Sequence, residues 1–152
     1  MSPAIGEPAP PFSLPDQNRD RVTLESLAGS KSLIVFIPFP FSSICGAELC
    51  TIRDNLAMLN DLDASVIVIT CDTHHANRRW SEENGFEFPV LSDFWPHGEA
   101  TKVYGVFNEM VGAANRASFV LDAEQIVRAA IATDSLGTPR EFDEYLAALA
   151  AI

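Results

Sequence analysis

Residues 32–60 read SLIVFIPFPFSSICGAELCTIRDNLAMLN, and the predicted fold depends most on this stretch. It begins with a continuous apolar run, Ser32–Ile37, which is typical of a strand buried on both faces of a sheet. Pro38 and Pro40 end that strand, because proline cannot donate a hydrogen bond to a neighbouring strand. Apolar residues then recur at steps of three and four from Ser43 to Asn60, which predicts a helix with one apolar face.

The rest of the chain continues this alternation of strands and helices. The predicted elements are an N-terminal hairpin built from FSL and RVTL within residues 1–30, a strand at Ser65–Cys71, a polar helix through Trp80, a short strand near Pro89–Leu91, a helical turn around Gly98–Tyr104, strands at Ala117–Leu121 and Ile126–Ala132, and a helix at Glu141–Ala150. A βαβ unit followed by a ββα unit gives a mixed central sheet with helices on both faces. The sequence therefore predicts an α/β, thioredoxin-like fold with an N-terminal β-hairpin. No repeat or linker divides it, so we expect one domain over residues 1–152.

Composition and charge narrow the class of protein. Of the 152 residues, 47% are hydrophobic and 20% are charged, which is ordinary for a globular domain. The formal net charge of −11 repels phosphate backbones and anionic lipids, so we expect neither a nucleic-acid nor a membrane partner. The N-terminal residues lack the basic start and apolar core of a secretion signal. We therefore expect a cytoplasmic protein whose three cysteines are reduced at rest.

Cys45 lies where the first predicted strand gives way to the long helix. Backbone N–H groups in the first turn of a helix have no intrahelical acceptor, and together with the positive end of the helix dipole they favour a thiolate over a thiol. Ser42, three residues earlier, can hydrogen bond that thiolate or an oxygen of a ligand. Glu48, three residues later, can reach back toward the helix start or fix a neighbouring cation. Cys45 is therefore a candidate nucleophile.

Pro38, Ser42 and Cys45 match the pattern P-x-x-x-[TS]-x-x-C, and the sequence resembles the peroxiredoxins, which carry this signature at their active sites. The resemblance continues through GEPAPPFSLPDQ, FPVLSDFWPHG, YGVFNE and NRASFVLD. It is closest to the AhpE-type branch, through SDFWPHG and YGVFNEMVGAANR. The resemblance implies a thiol-dependent peroxidase that reduces hydrogen peroxide and organic hydroperoxides. It also implies a homodimer, and it implies no metal, flavin or haem cofactor.

By this resemblance Cys45 is the peroxidatic cysteine, and Arg116 in NRASFVLD completes its pocket. A guanidinium beside the sulfur orients the peroxide through its fixed fork of donors and balances the charge that develops as the O–O bond breaks. Pro38, Ser42, Arg116 and the Cys45 N–H then hold the substrate during in-line attack. The attack releases water or an alcohol and leaves Cys45 as a sulfenic acid.

Cys50 follows Cys45 at a spacing, C-x4-C, that fits neither the C-x-x-C of a thioredoxin-type reductase nor a zinc site. It is similar to the PrxQ branch of peroxiredoxins, in which the second cysteine of this helix resolves the first. A helical projection places Cys50 about 140° from the centre of the apolar face, near Ala47 and Asp54. That position favours a redox role over packing.

A disulfide between Cys45 and Cys50 requires the helix to unwind. Helical residues five apart have Cα atoms roughly 8–9 Å apart, and a disulfide tolerates about 7 Å. We expect the reduced protein to be helical here and oxidation to fray the first turns. The exposed bond would then be reduced by thioredoxin or a mycoredoxin-type reductant.

The other cysteine, the histidines and the aromatic residues are expected to have mainly structural roles. Cys71 ends an apolar strand, where cysteine is usually a packing residue. The histidines, His74, His75 and His97, are not expected to form a metal site, because adjacent side chains at a helix start point in different directions. The aromatic residues that could form a pocket wall, a dimer face or part of the core are Trp80, Phe94, Trp95, Tyr104 and Phe107.

Two other functions fit the same fold. One is a thioredoxin-fold thiol-disulfide oxidoreductase, which the missing C-x-x-C disfavours. The other is a redox sensor that passes oxidation from Cys45 to a partner protein by thiol–disulfide exchange. Rapid peroxide consumption with a generic thiol reductant supports the peroxidase, and slow turnover with a specific mixed disulfide supports the sensor.

Overall fold

The computed structural model describes residues 2–152, which contain nine strands and five α-helices. The strands are β1 (Ser13–Pro15), β2 (Arg21–Thr23), β3 (Lys31–Phe36), β4 (Ala64–Thr70), β5 (Val90–Ser92), β6 (Phe107–Asn108), β7 (Ala113–Ala114), β8 (Ala117–Leu121) and β9 (Val127–Ala132). The helices are α1 (Ser43–Asp54), α2 (Leu56–Asp61), α3 (His74–Asn84), α4 (Glu99–Val103) and α5 (Phe142–Ala150). No helix within these residues combines the length and the apolar character needed to span a membrane.

Five strands form the central sheet in the order β5-β4-β3-β8-β9. Strand β3 runs parallel to β4, and β4 runs parallel to β5, whereas β8 is antiparallel to both β3 and β9. The strands β1 and β2 form the antiparallel hairpin that the sequence predicted. The mixed sheet and the hairpin confirm the predicted α/β architecture.

Two hydrophobic cores cover the two faces of this sheet. Successive side chains of a strand point to opposite faces, so Leu33 and Val35 of β3 enter one core and Ile34 and Phe36 enter the other. All four are fully buried. The first core includes residues of α1, α2, α3 and α5, and the second includes residues of α4 and of the N-terminal segment. Helices therefore lie on both faces, as predicted.

The helix predicted from Ser43 to Asn60 is wrong in one respect, because it is interrupted at Asn55. The Asn55 side chain donates a hydrogen bond of 2.8 Å to the Thr51 carbonyl, and such a local bond competes with helix continuation. The apolar periodicity did not reveal the break, since Leu59 in α2 still reaches the core. The β6–β7 pair was also missed, because two-residue strands are too short to show a period.

Strand register brings the two ends of the predicted site together. Phe36, the last residue of β3, lies opposite Ala117, the first residue of β8. Pro38 follows β3 and Arg116 precedes β8, so both residues emerge at the same end of the sheet. The helix α1 starts at this end as well, which places Cys45 beside them.

Candidate active site

Cys45 lies in the first turn of α1 and is completely buried. Pro38 is buried in the loop that leaves β3, and Phe41 takes a φ of +67° just before the helix, a conformation that costs energy in non-glycine residues. Ser42 is the N-cap, and its carbonyl accepts the first helical hydrogen bond from Gly46 at 2.9 Å. The loop thus places Cys45 in the first turn of the helix.

Arg116 contacts Cys45 directly. Its Nη1 lies 3.2 Å from the Cys45 Sγ and donates a hydrogen bond to it. The same nitrogen donates to Glu48 Oε1 at 2.7 Å, and Nε donates to the Leu136 carbonyl. The guanidinium is only 3% exposed. A charge-assisted bond of this kind is strongest when its acceptor is an anion, so the pair is arranged for a thiolate.

Glu48 accepts hydrogen bonds from two arginines, and the second of them, Arg140, was missed by the sequence analysis. Arg140 donates to Glu48 from its backbone N–H, its Nε and its Nη2, at 2.8 to 2.9 Å. The remaining nitrogen, Nη1, donates to the carbonyls of Phe36 and Ala117. Of the two uses predicted for Glu48, the structure shows the fixing of neighbouring cations. No local pattern marks Arg140, which simply precedes the last helix.

The electrostatics of this network favour the charged forms of Glu48 and Arg140. Burial works to raise the pKa of Glu48, but the hydrogen bonds and charge of Arg140 and the charge of Arg116 outweigh it, so its pKa lies below the ordinary value. Burial likewise works to lower the pKa of Arg140, and the bond to Glu48 reverses this. The Glu48 carboxylate compensates the positive charge of Arg116 and Arg140, which allows both guanidinium groups to be buried.

Ser42 lies in the same loop as Pro38 and is half-buried. The Oγ donates a hydrogen bond of 3.0 Å to the Phe39 carbonyl. This bond uses the hydroxyl proton and leaves the oxygen lone pairs free to accept a hydrogen bond from a ligand. The alternative that Ser42 donates to the Cys45 sulfur is not the arrangement in this structure.

Cys50 does not face Cys45, and it is more buried than its neighbours in the helical projection. All three cysteines are free thiols, and α1 is intact from Cys45 to Cys50, as expected for the reduced state. The projection grouped Cys50 with Ala47 and Asp54, which are exposed. Cys50 is instead half-buried, because α3 packs on this side of α1, and its Sγ lies 3.9 Å from Asn84 Oδ1.

Cys71 and the adjacent histidines His74 and His75 make packing contacts. Cys71 is buried beside the Thr101 hydroxyl at 3.5 Å, and burial raises its pKa to about 11. The rings of His74 and His75 contact each other in a tilted arrangement, with centroids 4.0 Å apart and an interplanar angle of 37°. Among residues 2–152, no three His, Cys, Asp or Glu side chains are grouped closely enough to hold a metal ion.

The aromatic residues separate into core and surface. Trp80 and Tyr104 are almost completely buried, whereas Phe94 is 47% and Trp95 is 82% exposed. His97 lies between Phe94 and Phe107, with ring centroids about 6 Å from each. The sequence could not make this separation, because it depends on which side of each element is covered.

The fold and the buried Cys45–Arg116 pair together define a peroxiredoxin with a thioredoxin-like fold. The model of the AhpC/TSA family matches residues 5–130, and this chain belongs to that family. It is 44% identical to alkyl hydroperoxide reductase E of Mycobacterium tuberculosis, over 82% of each chain. It is 29% identical to a thioredoxin peroxidase of Trypanosoma brucei rhodesiense, over 93% of this chain and 75% of that one.

Comparison with solved structures agrees with this assignment. The crystal structure of an AhpC from Enterococcus faecalis superposes with a TM-score of 0.88 at 28% identity, and the match covers 99% of this chain and 92% of the other. The similarity therefore extends over the hairpin, the central sheet and all five helices. The predicted thioredoxin-like fold is confirmed.

Proposed function

We propose that this protein is a thiol-dependent peroxidase that reduces hydrogen peroxide and organic hydroperoxides at Cys45. The observation that carries the proposal is the 3.2 Å contact between Arg116 Nη1 and the Cys45 sulfur at the start of α1. The family supports it, since the relatives described above are named as an alkyl hydroperoxide reductase and a thioredoxin peroxidase. A buried thiol beside a fixed cation suits attack on a small, polarisable O–O bond.

The reaction begins with the Cys45 thiolate attacking the terminal oxygen of ROOH. An S–O bond forms as the O–O bond breaks, and the leaving RO⁻ takes a proton and departs as ROH. Cys45 becomes a sulfenic acid, having lost two electrons to the peroxide. Arg116 donates to the oxygens on which charge develops, while Pro38, Ser42 and the Cys45 N–H hold the substrate in position.

Glu48 and Arg140 act as positioning residues in this mechanism. The four short bonds from Arg116 and Arg140 to Glu48 hold the Arg116 guanidinium in one orientation. A fixed donor needs no reorganisation when charge moves onto the leaving oxygen, which is how preorganised sites lower barriers. Loss of Glu48 therefore acts on catalysis through Arg116.

Cys50 resolves the sulfenic acid in the proposed cycle. Its sulfur attacks the Cys45 sulfur, the S–O bond breaks, and water leaves with the Cys50 proton. The PrxQ-like spacing supports this step, and so does the position of Cys50, which is half-buried rather than in the closed core. A thioredoxin or mycoredoxin-type protein then reduces the disulfide and restores both thiols.

A homodimer is the proposed assembly. The exposed apolar residues Phe94 and Trp95 lie near the exposed Met110 and Val111, because the His97 ring joins the two segments. Its Nδ1 lies 3.1 Å from the Phe94 carbonyl oxygen and its Nε2 lies 2.7 Å from the Gly112 carbonyl oxygen. Exposed apolar residues on neighbouring segments are typical of a protein–protein contact.

The test is oxidation by one equivalent of hydrogen peroxide, followed by stopped-flow and by intact mass, in the wild type, C45S, C50S and C71S. We expect peroxide consumption to disappear in C45S and to be unchanged in C71S, the matched control with an inert buried thiol. C50S should retain the first oxidation and accumulate the sulfenic acid. Undiminished peroxide consumption by C45S would refute the peroxidase, and slow turnover with a specific mixed disulfide would point to the sensor.

A further inference from the structure

Two residues of α1, Cys50 and Arg53, contact one residue at the end of α3, Asn84. The Cys50 thiol donates a long hydrogen bond to Asn84 Oδ1, at 3.9 Å. Arg53 Nη1 donates to the Asn84 carbonyl at 2.6 Å, a short, charge-assisted bond. Asn84 is itself fixed, because its Nδ2 donates to the Trp80 carbonyl at 2.9 Å. The C-terminal end of α1 is thus attached to the last turn of α3.

The surroundings of Arg53 support this attachment. Its Nε donates to Asp54 Oδ1 at 2.9 Å, so the guanidinium is held from two sides. The hydrogen bond to Asp54 is the main factor that raises the pKa of Arg53 above its ordinary value. The guanidinium therefore remains charged while it bonds the Asn84 carbonyl.

The other end of the same helix is held by different contacts. Cys45 and Glu48 bond buried arginines there, and those bonds belong to the catalytic network. A Cys45–Cys50 disulfide cannot form while the helix between the two sulfurs is intact, so one end must be released. Cys50 is half-buried and lies near the C-terminal end of α1 at Asp54. There the Arg53 guanidinium attaches α1 to α3 through one hydrogen bond to the Asn84 carbonyl.

We propose that Arg53 and Asn84 form a latch that holds Cys50 against α3 and sets the rate at which Cys50 reaches the oxidised Cys45. The proposal rests on the resolving role of Cys50 in the proposed function and adds two positioning residues to it. The chemical step is unchanged: Cys45–SOH and Cys50–SH give the disulfide and water. Opening the latch precedes it, and a closed latch prolongs the life of the sulfenic acid.

A long-lived sulfenic acid has a second fate. A further molecule of hydroperoxide oxidises it to the sulfinic acid, which thiol reductants do not restore. The latch therefore sets the partition between disulfide and sulfinic acid when hydroperoxide is abundant. A tight latch makes the enzyme sensitive to overoxidation, and a loose latch protects it.

The test compares R53A, R53K and N84A with the control R79A, which removes an arginine of α3 that pairs with Glu83 on the exposed side of the same helix. The rate of Cys45 oxidation is measured by stopped-flow, the rate of disulfide formation by quenched mass spectrometry, and the sulfinate yield at excess hydrogen peroxide by intact mass. We expect R53A to form the disulfide about tenfold faster, as befits loss of a charge-assisted hydrogen bond, and to yield less sulfinate. N84A should act in the same direction, and R53K should fall between R53A and the wild type.

The rate of the first oxidation should be the same in all four variants, since none of them touches Cys45 or Arg116. Equal rates of disulfide formation in R53A, N84A and R79A would overturn the latch. A wild-type protein that forms sulfenic acid but no Cys45–Cys50 disulfide would overturn both the latch and the resolving role of Cys50. Absence of any oxidation at Cys45 would instead refute the peroxidase itself. Circular dichroism confirms that each variant retains its helices.

Discussion

Arg116 makes three contacts with one guanidinium, and its role depends on their geometry. Nη1 serves both the Cys45 sulfur and Glu48, while Nε is bound to the Leu136 carbonyl. A lysine at this position would supply the charge but only one donor centre. The arrangement therefore requires a planar fork and not a positive charge alone.

We predict that R116A lowers the second-order rate constant for oxidation of Cys45 by about 10²- to 10³-fold, the range found when one preorganised donor is removed from an active site. R116K should recover part of the rate, because it restores the charge without the fork. Stopped-flow mixing with hydrogen peroxide measures both. Equal rates in R116K and the wild type would show that charge alone suffices, and an unchanged rate in R116A would remove Arg116 from the mechanism.

At the scale of elements, the loop before α4 is positioned by a glycine. Gly98 has a φ of +71°, and a Cβ added to it would lie 2.5 Å from the Phe107 ring. Its N–H donates to the Asp93 carbonyl at 2.9 Å, and its carbonyl accepts from Lys102 at 2.7 Å. The loop, the helix and the β6–β7 pair are thus packed together through a position that has no room for a side chain.

We predict that G98A lowers the free energy of unfolding by roughly 2–5 kcal/mol, from about 1–2 kcal/mol for a left-handed conformation and about 1–3 kcal/mol for overpacking against Phe107. The control is G85A, which has a φ of +67° but no atom within 4 Å of the added Cβ. It should lose only the conformational part. Urea denaturation of both variants measures the difference, and equal losses would contradict the steric argument.

At the scale of the whole molecule, Glu48 connects α1 to the segments that carry Arg116 and Arg140. Its side chain is 6% exposed and both guanidinium groups are at least as buried. Removing one member of a buried ion pair leaves uncompensated charge, which costs roughly 3–5 kcal/mol. The network is therefore a substantial part of the stability of a domain of this size.

We predict that E48Q lowers the free energy of unfolding by about 3–5 kcal/mol at neutral pH, and that the gap to the wild type narrows in acid. The folded pKa of Glu48 lies below its ordinary value of 4.5, so its stabilisation is complete above that pH and is lost as the pH falls through the folded pKa. Urea denaturation from pH 7 to pH 3 measures this. The matched control is E83Q, which breaks an exposed pair with Arg79 and should change stability by about 0.5 kcal/mol or less. A gap that stays constant across this pH range would contradict the linkage.

The exposed apolar area gives a prediction about assembly. Trp95 is 82% exposed, and a charge placed there would be buried without a partner in the proposed dimer contact. We predict that W95E is monomeric at concentrations where the wild type is dimeric, as measured by analytical ultracentrifugation. M58E, at a half-exposed residue of α2, should remain dimeric. A wild-type monomer, or a W95E dimer, would exclude this area as the contact.

Much of the fold followed from the sequence because its signals are local. The apolar runs that became β3 and β4 and the helical period of α1 depend on neighbours within a few residues. The prolines that end β3 and the start of α1 also located Cys45 at the strand–helix junction. The break at Asn55 was missed, since the side-chain bond that ends α1 leaves the apolar period intact.

The order of elements and the sulfur at the strand–helix junction were predicted from local patterns, and the resemblance added the arginine expected beside that sulfur. The contacts of Arg140 with Glu48 and of Cys50 with Asn84 depend instead on tertiary packing. Both contacts join residues more than thirty positions apart. Strand register and helix packing bring such residues together, and neither leaves a periodic trace in the stretch of chain that each residue belongs to.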